Sequence, residues 1–209
     1  MTLAVCIIDT RNHVQAARTL QHTLQVLDAC HAAHKAYWIS DQPCALALPV
    51  PLTQIQISPI QKFPQDYNRV CLNLLPDLIQ EDHVLLIQCD GYAANASAWT
   101  PEFLQYDYVG ACWPPHWYTP HAVGNGGFSL RSRKLLTAIK QLNIVATDRH
   151  EDYHICLDMR DALEQMGCVW APAPLADQFS IENNTQSEWL GKSFGFHGKF
   201  LTSLYGTLV

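Results

Sequence analysis

Four short stretches of the 209-residue chain carry side chains suited to chemistry. They are Asp90 at the end of an apolar run, the glycine-rich Gly124, Asn125, Gly126 and Gly127, the adjacent carboxylates Glu151 and Asp152, and His197 between an aromatic residue and a glycine. A carboxylate and an imidazole held on rigid elements suit a hard divalent cation such as Mn²⁺ or Mg²⁺, which in turn clamps a diphosphate. Asp90 and His197 fit that task. A sugar hydroxyl is a weak acid and needs a positioned base to take its proton as it attacks; Glu151 or Asp152 fits. Glycine admits close approach to the backbone where a Cβ would block it, so the segment 124–127 suits passage beside a donor sugar, and Asn125 offers amide hydrogen bonds. One chemistry uses all four stretches, the transfer of a sugar from a nucleotide-sugar donor to a hydroxyl.

Such residues need a frame that brings them to one place. Residues 3–8, "LAVCII", predict a buried strand, and Val14, Ala17, Leu20, Leu24 and Leu27 follow at helical spacing. "KAYWIS" (35–40) and "TQIQIS" (53–58) predict two further strands, "DYNRVCLNLLPDLIQ" a helix kinked or split at Pro76, and "HVLLIQC" (83–89) the strand that ends at Asp90. The alternation predicts an α/β fold with a mostly parallel central sheet flanked by helices, in one domain over residues 1–209. Ligands in such sheets sit beyond the carboxyl ends of the strands. Asp9, Thr10, Arg11, Asp41 and Asp90 therefore belong to one rim, although each taken singly reads as a turn or capping residue. A helix from Ser132 to about Leu142, an apolar stripe of Ile155, Cys156, Met159, Leu163 and Met166, and a last strand "CVWAP" complete the pattern.

"LLIQCDGY", "EFLQYDYVGACW", "VGNGGFSLRSRKLL", "HEDYHIC" and "FGFHG", in that order, resemble the GT-A glycosyltransferase superfamily, and within it a glycosyltransferase-like family of unassigned specificity. The resemblance implies a single GT-A (Rossmann-like) domain and a metal-dependent, inverting transferase. It sets Asp90 at the last acid of an Asp-x-Asp signature, with Asp90 and His197 as metal ligands. It sets Gly124 to Gly127 at a donor-side loop and Asp152, beside Glu151, as the base. Gln88 stands where that signature has its first acid, which weakens the expectation of a Mn²⁺ or Mg²⁺ cofactor. Asp9, Thr10, Arg11 and Asp41 fall where a GT-A layout contacts the nucleoside; Tyr67 and Asn68, at the start of the helix before the Asp90 strand, are placed to face the donor, and a helix-start role accounts for Asn68 equally well. The implied partners are a nucleotide-sugar donor and a glycan, lipid-linked or protein acceptor.

Trp113 and Trp117 suit stacking on an acceptor sugar, Glu182 an acceptor contact, and one of Arg131 and Arg133 a phosphate. A net charge of −6 gives no footprint for nucleic acid. The longest apolar runs are far short of the roughly 20 residues that span a bilayer, and no secretory signal opens the chain. Eight cysteines without a C-x-x-C pair read as buried free thiols in a reducing compartment. Together these predict a cytoplasmic protein, with peripheral work on a lipid acceptor left open. Two other readings compete. A sugar-phosphate nucleotidyltransferase would carry a glycine-rich loop after the first strand, where "IIDTRNHVQAA" has no glycine. A non-enzymatic sugar- or nucleotide-binding relative is suggested by Gln88 and opposed by Glu151 and Asp152.

Overall fold

A computed structural model describes residues 1–30, 32, 35–114, 121–182 and 188–205. Strand β1 (Leu3–Ile8) leads into α1 (His13–Ala29), then β2 (Lys35–Ser40) and β3 (Leu52–Gln56). A helical stretch follows as α2 (Gln65–Arg69), a π-helical turn (Val70–Leu74) and α3 (Leu75–Leu78), and returns the chain to β4 (His83–Ile87). These elements form the parallel part of a six-stranded sheet of order β3-β2-β1-β4-β6-β5. β5 (Tyr108–Val109) and β6 (Phe128–Ser132) complete it in antiparallel register, Val84 opposite Arg131 and Tyr108 opposite Arg131.

β1 and β4 read as unbroken apolar runs because both of their faces are covered. Leu3, Val5 and Ile7 pack with α1 and with Phe103, Phe128, Phe179 and Phe194 on one side. Ala4, Cys6 and Ile8 pack with Tyr67, Val70, Cys71 and Leu75 on the other. α1 buries Ala16, Ala17, Leu20, Leu24 and Leu27, whereas Val14 faces solvent. Pro76 splits the α2–α3 stretch as expected of a residue without an N–H: the π-helical turn lies just before it, and the Pro76 carbonyl accepts from Arg133 Nη1 at 2.5 Å.

Ser132 caps α4 (Arg133–Leu142), its hydroxyl accepting from the Leu135 N–H at 3.0 Å. Beyond it come α5 (Glu151–Tyr153), a second π-helical turn (His154–Asp158), α6 (Arg160–Gln165) and α7 (Ala173–Phe179). β7 (Ser180–Ile181) pairs in parallel with β8 (Gly195–Phe196), and α8 (Lys199–Tyr205) follows. The strand expected at "CVWAP" is not a sheet member: Trp170 makes an isolated bridge to Tyr108, and the flanking main chain bonds Asp107 and Tyr108. β5 is too short to hold a full partner, and Pro172 ends any continuation. Of the apolar stripe after Asp152, Ile155, Cys156 and Leu163 are buried while Met166 lies at the surface.

All eight cysteines are free thiols. Among the described residues no helix is long and apolar enough to cross a membrane.

Candidate active site

A cleft of about 480 Å³ opens at the carboxyl ends of β1 and β4. It is bordered by Asp9, Thr10 and Arg11 after β1, Gln88 and Asp90 after β4, Asn125 to Gly127, Glu151 and Asp152, Glu182, and His197. Segments that are remote in sequence therefore meet at one place.

The end of β1 is a tight turn. The Asp9 carboxylate accepts from the N–H groups of Arg11 and Asn12 at 2.7 and 2.6 Å. Thr10 Oγ1 accepts from the Ile60 N–H at 2.9 Å, and Arg11 Nη2 donates to the Ile60 carbonyl at 3.1 Å. These two side chains fasten the β3–α2 loop to the rim, with Ile60 and Phe63 facing the same cleft.

At the end of β4, His197 stands between two acids. Its Nδ1 lies 3.1 Å from Glu182 Oε1, and its Nε2 lies 3.4 Å from Asp90 Oδ1 and 3.1 Å from Gln88 Oε1. Burial disfavours the imidazolium, but Asp90 and Glu182 outweigh it and raise His197 to about 10. Burial likewise works against ionisation of Asp90, and the hydrogen bond from His197 nevertheless holds its carboxyl below the usual range. Cys89, between Gln88 and Asp90 in sequence, is pushed up to about 12 by burial and by Asp9 and Asp90, so it offers no thiolate nucleophile.

The glycine-rich loop brings backbone against side chains. A Cβ on Gly127 would lie 2.1 Å from His197 Nε2, and one on Gly126 would lie 2.0 Å from Glu151 Oε1. Asn125 takes the left-handed conformation with φ 48°, and its Oδ1 accepts from the Gly127 N–H at 3.2 Å. The Gly126 N–H donates to Asp152 Oδ2 at 3.1 Å, and the Tyr153 N–H to Asp152 Oδ1 at 2.9 Å. Burial, followed by the Glu151 charge, pushes the Asp152 carboxyl up to about 7 against the pull of those two N–H groups and Arg131.

Among the described residues no group of three or more His, Cys, Asp or Glu side chains is arranged to hold a metal ion. The donor set at the Asp90 end is one carboxylate, one imidazole nitrogen and one amide oxygen. Their separations of 3.1 and 3.4 Å match neighbouring ligands on a small cation, about 3 Å apart when each lies at about 2.1 Å. Glu182 on Nδ1 is the kind of outer partner that orients a ligating imidazole. Asp90, the Gln88 amide and, once it gives up its Nε2 proton, His197 would be the residues to hold a divalent cation here.

Residues 54–197 match the model of a family described as "Protein of unknown function (DUF5672)". The chain belongs to that family. No curated protein matches this DUF5672 chain. Among solved structures it is similar to the crystal structure of a glycosyltransferase involved in the glycosylation of the major capsid of PBCV-1. The TM-score is 0.60 at 10% identity, over 95% of this chain and 93% of the other. The shared property is the α/β fold with its mostly parallel six-stranded sheet.

Three of the expected donor contacts of the DUF5672 chain stand elsewhere. Asp41 does not border the cleft; its Oδ1 accepts from His13 Nε2 at 2.7 Å, because α1 starts beside the end of β2. Asn68 is fully buried and donates to the Thr147 and Arg149 carbonyls at 2.9 and 2.5 Å, tying α2 to the segment before α5. Gly124 lies against the Trp113 indole and outside the cleft.

Trp113 does border the cleft but is 5% exposed and stacked on Tyr153 at 5.4 Å, so its ring packs against protein. Glu182 borders the cleft as the partner of His197. Trp117 lies outside the described residues. Neither arginine expected near phosphate borders the cleft: Arg131 is buried against Glu151 and Arg133 is bonded to Pro76.

Phe63, His150, Tyr153 and Lys199 line the cleft and were not expected there. His150 and Tyr153 flank the acidic pair, and Lys199 follows His197 by two positions, so adjacency to the motifs was the available signal. Phe63, 49% exposed with its ring 5.4 Å from that of His150, had no such signal.

Proposed function

We propose that the cleft binds a nucleotide-sugar donor and transfers its sugar, with inversion, to a hydroxyl of a glycan, lipid-linked or protein acceptor. The observation that carries this reading is the position of Asp152. It borders the cleft beside the glycine-rich loop, both of its oxygens accept main-chain N–H bonds, and burial with the Glu151 charge pushes its carboxyl up to about 7. That is where a general base serves a neutral-pH reaction. The likeness in fold to a glycosyltransferase supports the same class of chemistry.

In the transfer, the acceptor oxygen forms a bond to the anomeric carbon from the Asp152 side as its proton passes to the carboxylate. The bond from that carbon to the diphosphate oxygen breaks, and the nucleoside diphosphate leaves with the electron pair. Single displacement inverts the anomeric configuration. The β1 end, with Asp9, Thr10 and Arg11, borders the nucleoside side, and Asn125, Gly126 and Gly127 face the donor sugar and diphosphate. Asp90, His197 and the Gln88 amide fit Mn²⁺ or Mg²⁺, which when bound would neutralise charge on the leaving diphosphate. Lys199, which lines the cleft and whose charge acts on Asp90, adds positive charge to the same end.

The reading is tested by calorimetric titration of the protein with a panel of UDP-, GDP- and dTDP-hexoses and the free nucleotides, with and without Mn²⁺. The same titrations are repeated on Asp90→Ala and His197→Ala. Selective binding that both variants lose supports a donor site. Absence of binding across the panel overturns the transferase reading in favour of a non-enzymatic role.

A further inference from the structure

Glu151 and Asp152 are neighbours at the start of α5, and both border the cleft, yet they stand in different surroundings. Glu151 Oε1 receives Arg131 Nη2 at 2.8 Å, with side-chain exposures of 4% and 0%. Arg131 comes from β6, donates Nε to Ser129 Oγ at 3.0 Å, approaches the Gly126 carbonyl with Nη2 at 3.5 Å, and lies 5.6 Å from the Tyr108 ring. Its Nη1 is buried with no hydrogen-bond partner among the described residues. A guanidinium so far from water is expensive to desolvate, and an apolar side chain would fill the same strand position with less penalty. Its burial is therefore poorly explained by packing alone. Asp152, by contrast, bonds only main-chain N–H groups among the contacts described.

We propose that Arg131 is a positioning residue that divides the work of the two carboxylates: it holds Glu151 as its counter-ion, and leaves Asp152 as the group that accepts a proton in the cleft. This deepens the transferase reading of the same cleft, on which the source of that proton rests. The groups that act on Asp152 are Glu151 and Arg131, with Tyr108, Tyr153 and Cys156 packed around it. Burial raises the last three above their ordinary values, so they are neutral near pH 7 and the two charges left to oppose each other at Asp152 are those of the ion pair. Arg131 also reaches Gly126, whose N–H is bonded to Asp152, so the pair sets the place of the base as well as its charge.

The test is a carboxyl-carbon NMR titration of protein carrying ¹³C-labelled aspartate and glutamate, in wild type, Arg131→Met and Glu151→Gln. No substrate is needed, so its failure is separate from failure of the transferase reading. In wild type, Asp152 should take up its proton near neutral pH. Arg131→Met should move the Asp152 midpoint up, and Glu151→Gln should move it down, each by about 1 pH unit or more, as expected of a charge a few ångströms away. If Arg131→Met does not fold, the downward shift in Glu151→Gln decides alone. An Asp152 midpoint that is the same in the folded variants as in wild type overturns the proposal.

Discussion

The imidazole of His197 occupies the space in which a β-carbon of Gly127 would stand, with Nε2 2.1 Å from that point. The loop and the ring are therefore fitted to each other, and the ring's direction towards Asp90 and Gln88 depends on a hydrogen atom being all that Gly127 presents. Gly127→Ala should displace His197, lower stability by roughly 1–3 kcal/mol as overpacking does, and weaken nucleotide-sugar binding at least about tenfold, or ~1.4 kcal/mol. Urea denaturation and calorimetric titration measure the two effects. An alanine variant with wild-type affinity would show that the ring does not face the donor.

Asp152 gives a pH signature in stability. Burial and the Glu151 charge push its carboxyl in the folded protein up to about 7, above the ordinary carboxylate range, so between that range and 7 the folded protein binds more protons than the unfolded one. The contribution of this group to stability is present at the acid end of that window and is lost as pH rises through 7, with a slope of up to ~1.4 kcal/mol per pH unit. Denaturation of wild type and Asp152→Asn at pH 5 and pH 7 isolates it. The wild type should lose more stability, relative to the variant, on going to pH 7.

The same substitution should lower transfer by roughly 10²–10⁴-fold, the usual contribution of a general base. In wild type, transfer should rise with pH through an acid limb near 7 as the carboxylate forms. A variant with full turnover and the same limb would remove Asp152 from the reaction.

Gln88 Oε1 lies 3.1 Å from His197 Nε2 on the side of Asp90. Gln88→Asp shortens the side chain and adds a charge, and should tighten Mn²⁺ binding in the presence of a nucleoside diphosphate by about tenfold or more, because hard cations favour carboxylate over amide oxygen. Electron paramagnetic resonance of free Mn²⁺ reads this directly. Unchanged affinity would place the cation elsewhere.

Asn68 joins two walls of the cleft that are far apart in sequence, bonding the Thr147 and Arg149 carbonyls from within the core. Asn68→Leu should leave these carbonyls without their donor, at about 1–3 kcal/mol of stability, and should speed amide hydrogen exchange in residues 147–153. Unaltered exchange there would mean that α5 is held by other contacts.

The sequence pattern carried the parallel half of the sheet well, because β1, β2 and β4 are long apolar runs whose burial leaves little choice of partner. It carried the motif residues Asp90, Glu151, Asp152 and His197 to one cleft because each ends or begins an element at the same edge of that sheet. It did not carry Asp41 or Asn68, whose partners His13, Thr147 and Arg149 are set by how helices lie across the sheet, something that periodicity does not encode. "CVWAP" has the composition of a strand, but the bridge from Trp170 to the two-residue β5 is all that pairing allows. One of Arg131 and Arg133 is expected at a phosphate because a guanidinium fork fits it, but residue type does not encode the neighbours that claim both: every residue of β6 is buried, Arg131 against Glu151, and Arg133 bonds the Pro76 carbonyl.

The burial of β1 on both faces, between β2 and β4, has a consequence for how the chain assembles. Leu3 pairs with His83, so one flank of the first strand waits for a segment about eighty residues later in synthesis. β1, α1 and β2 can associate early because they are near neighbours, but until β4 arrives they present the unpaired backbone edge of a strand whose side chains are all apolar. Contacts of such sequence separation slow folding and lengthen exposure to other chains. Refolding yield should therefore fall steeply with protein concentration, and the amides of β1 should become protected in step with those of β4.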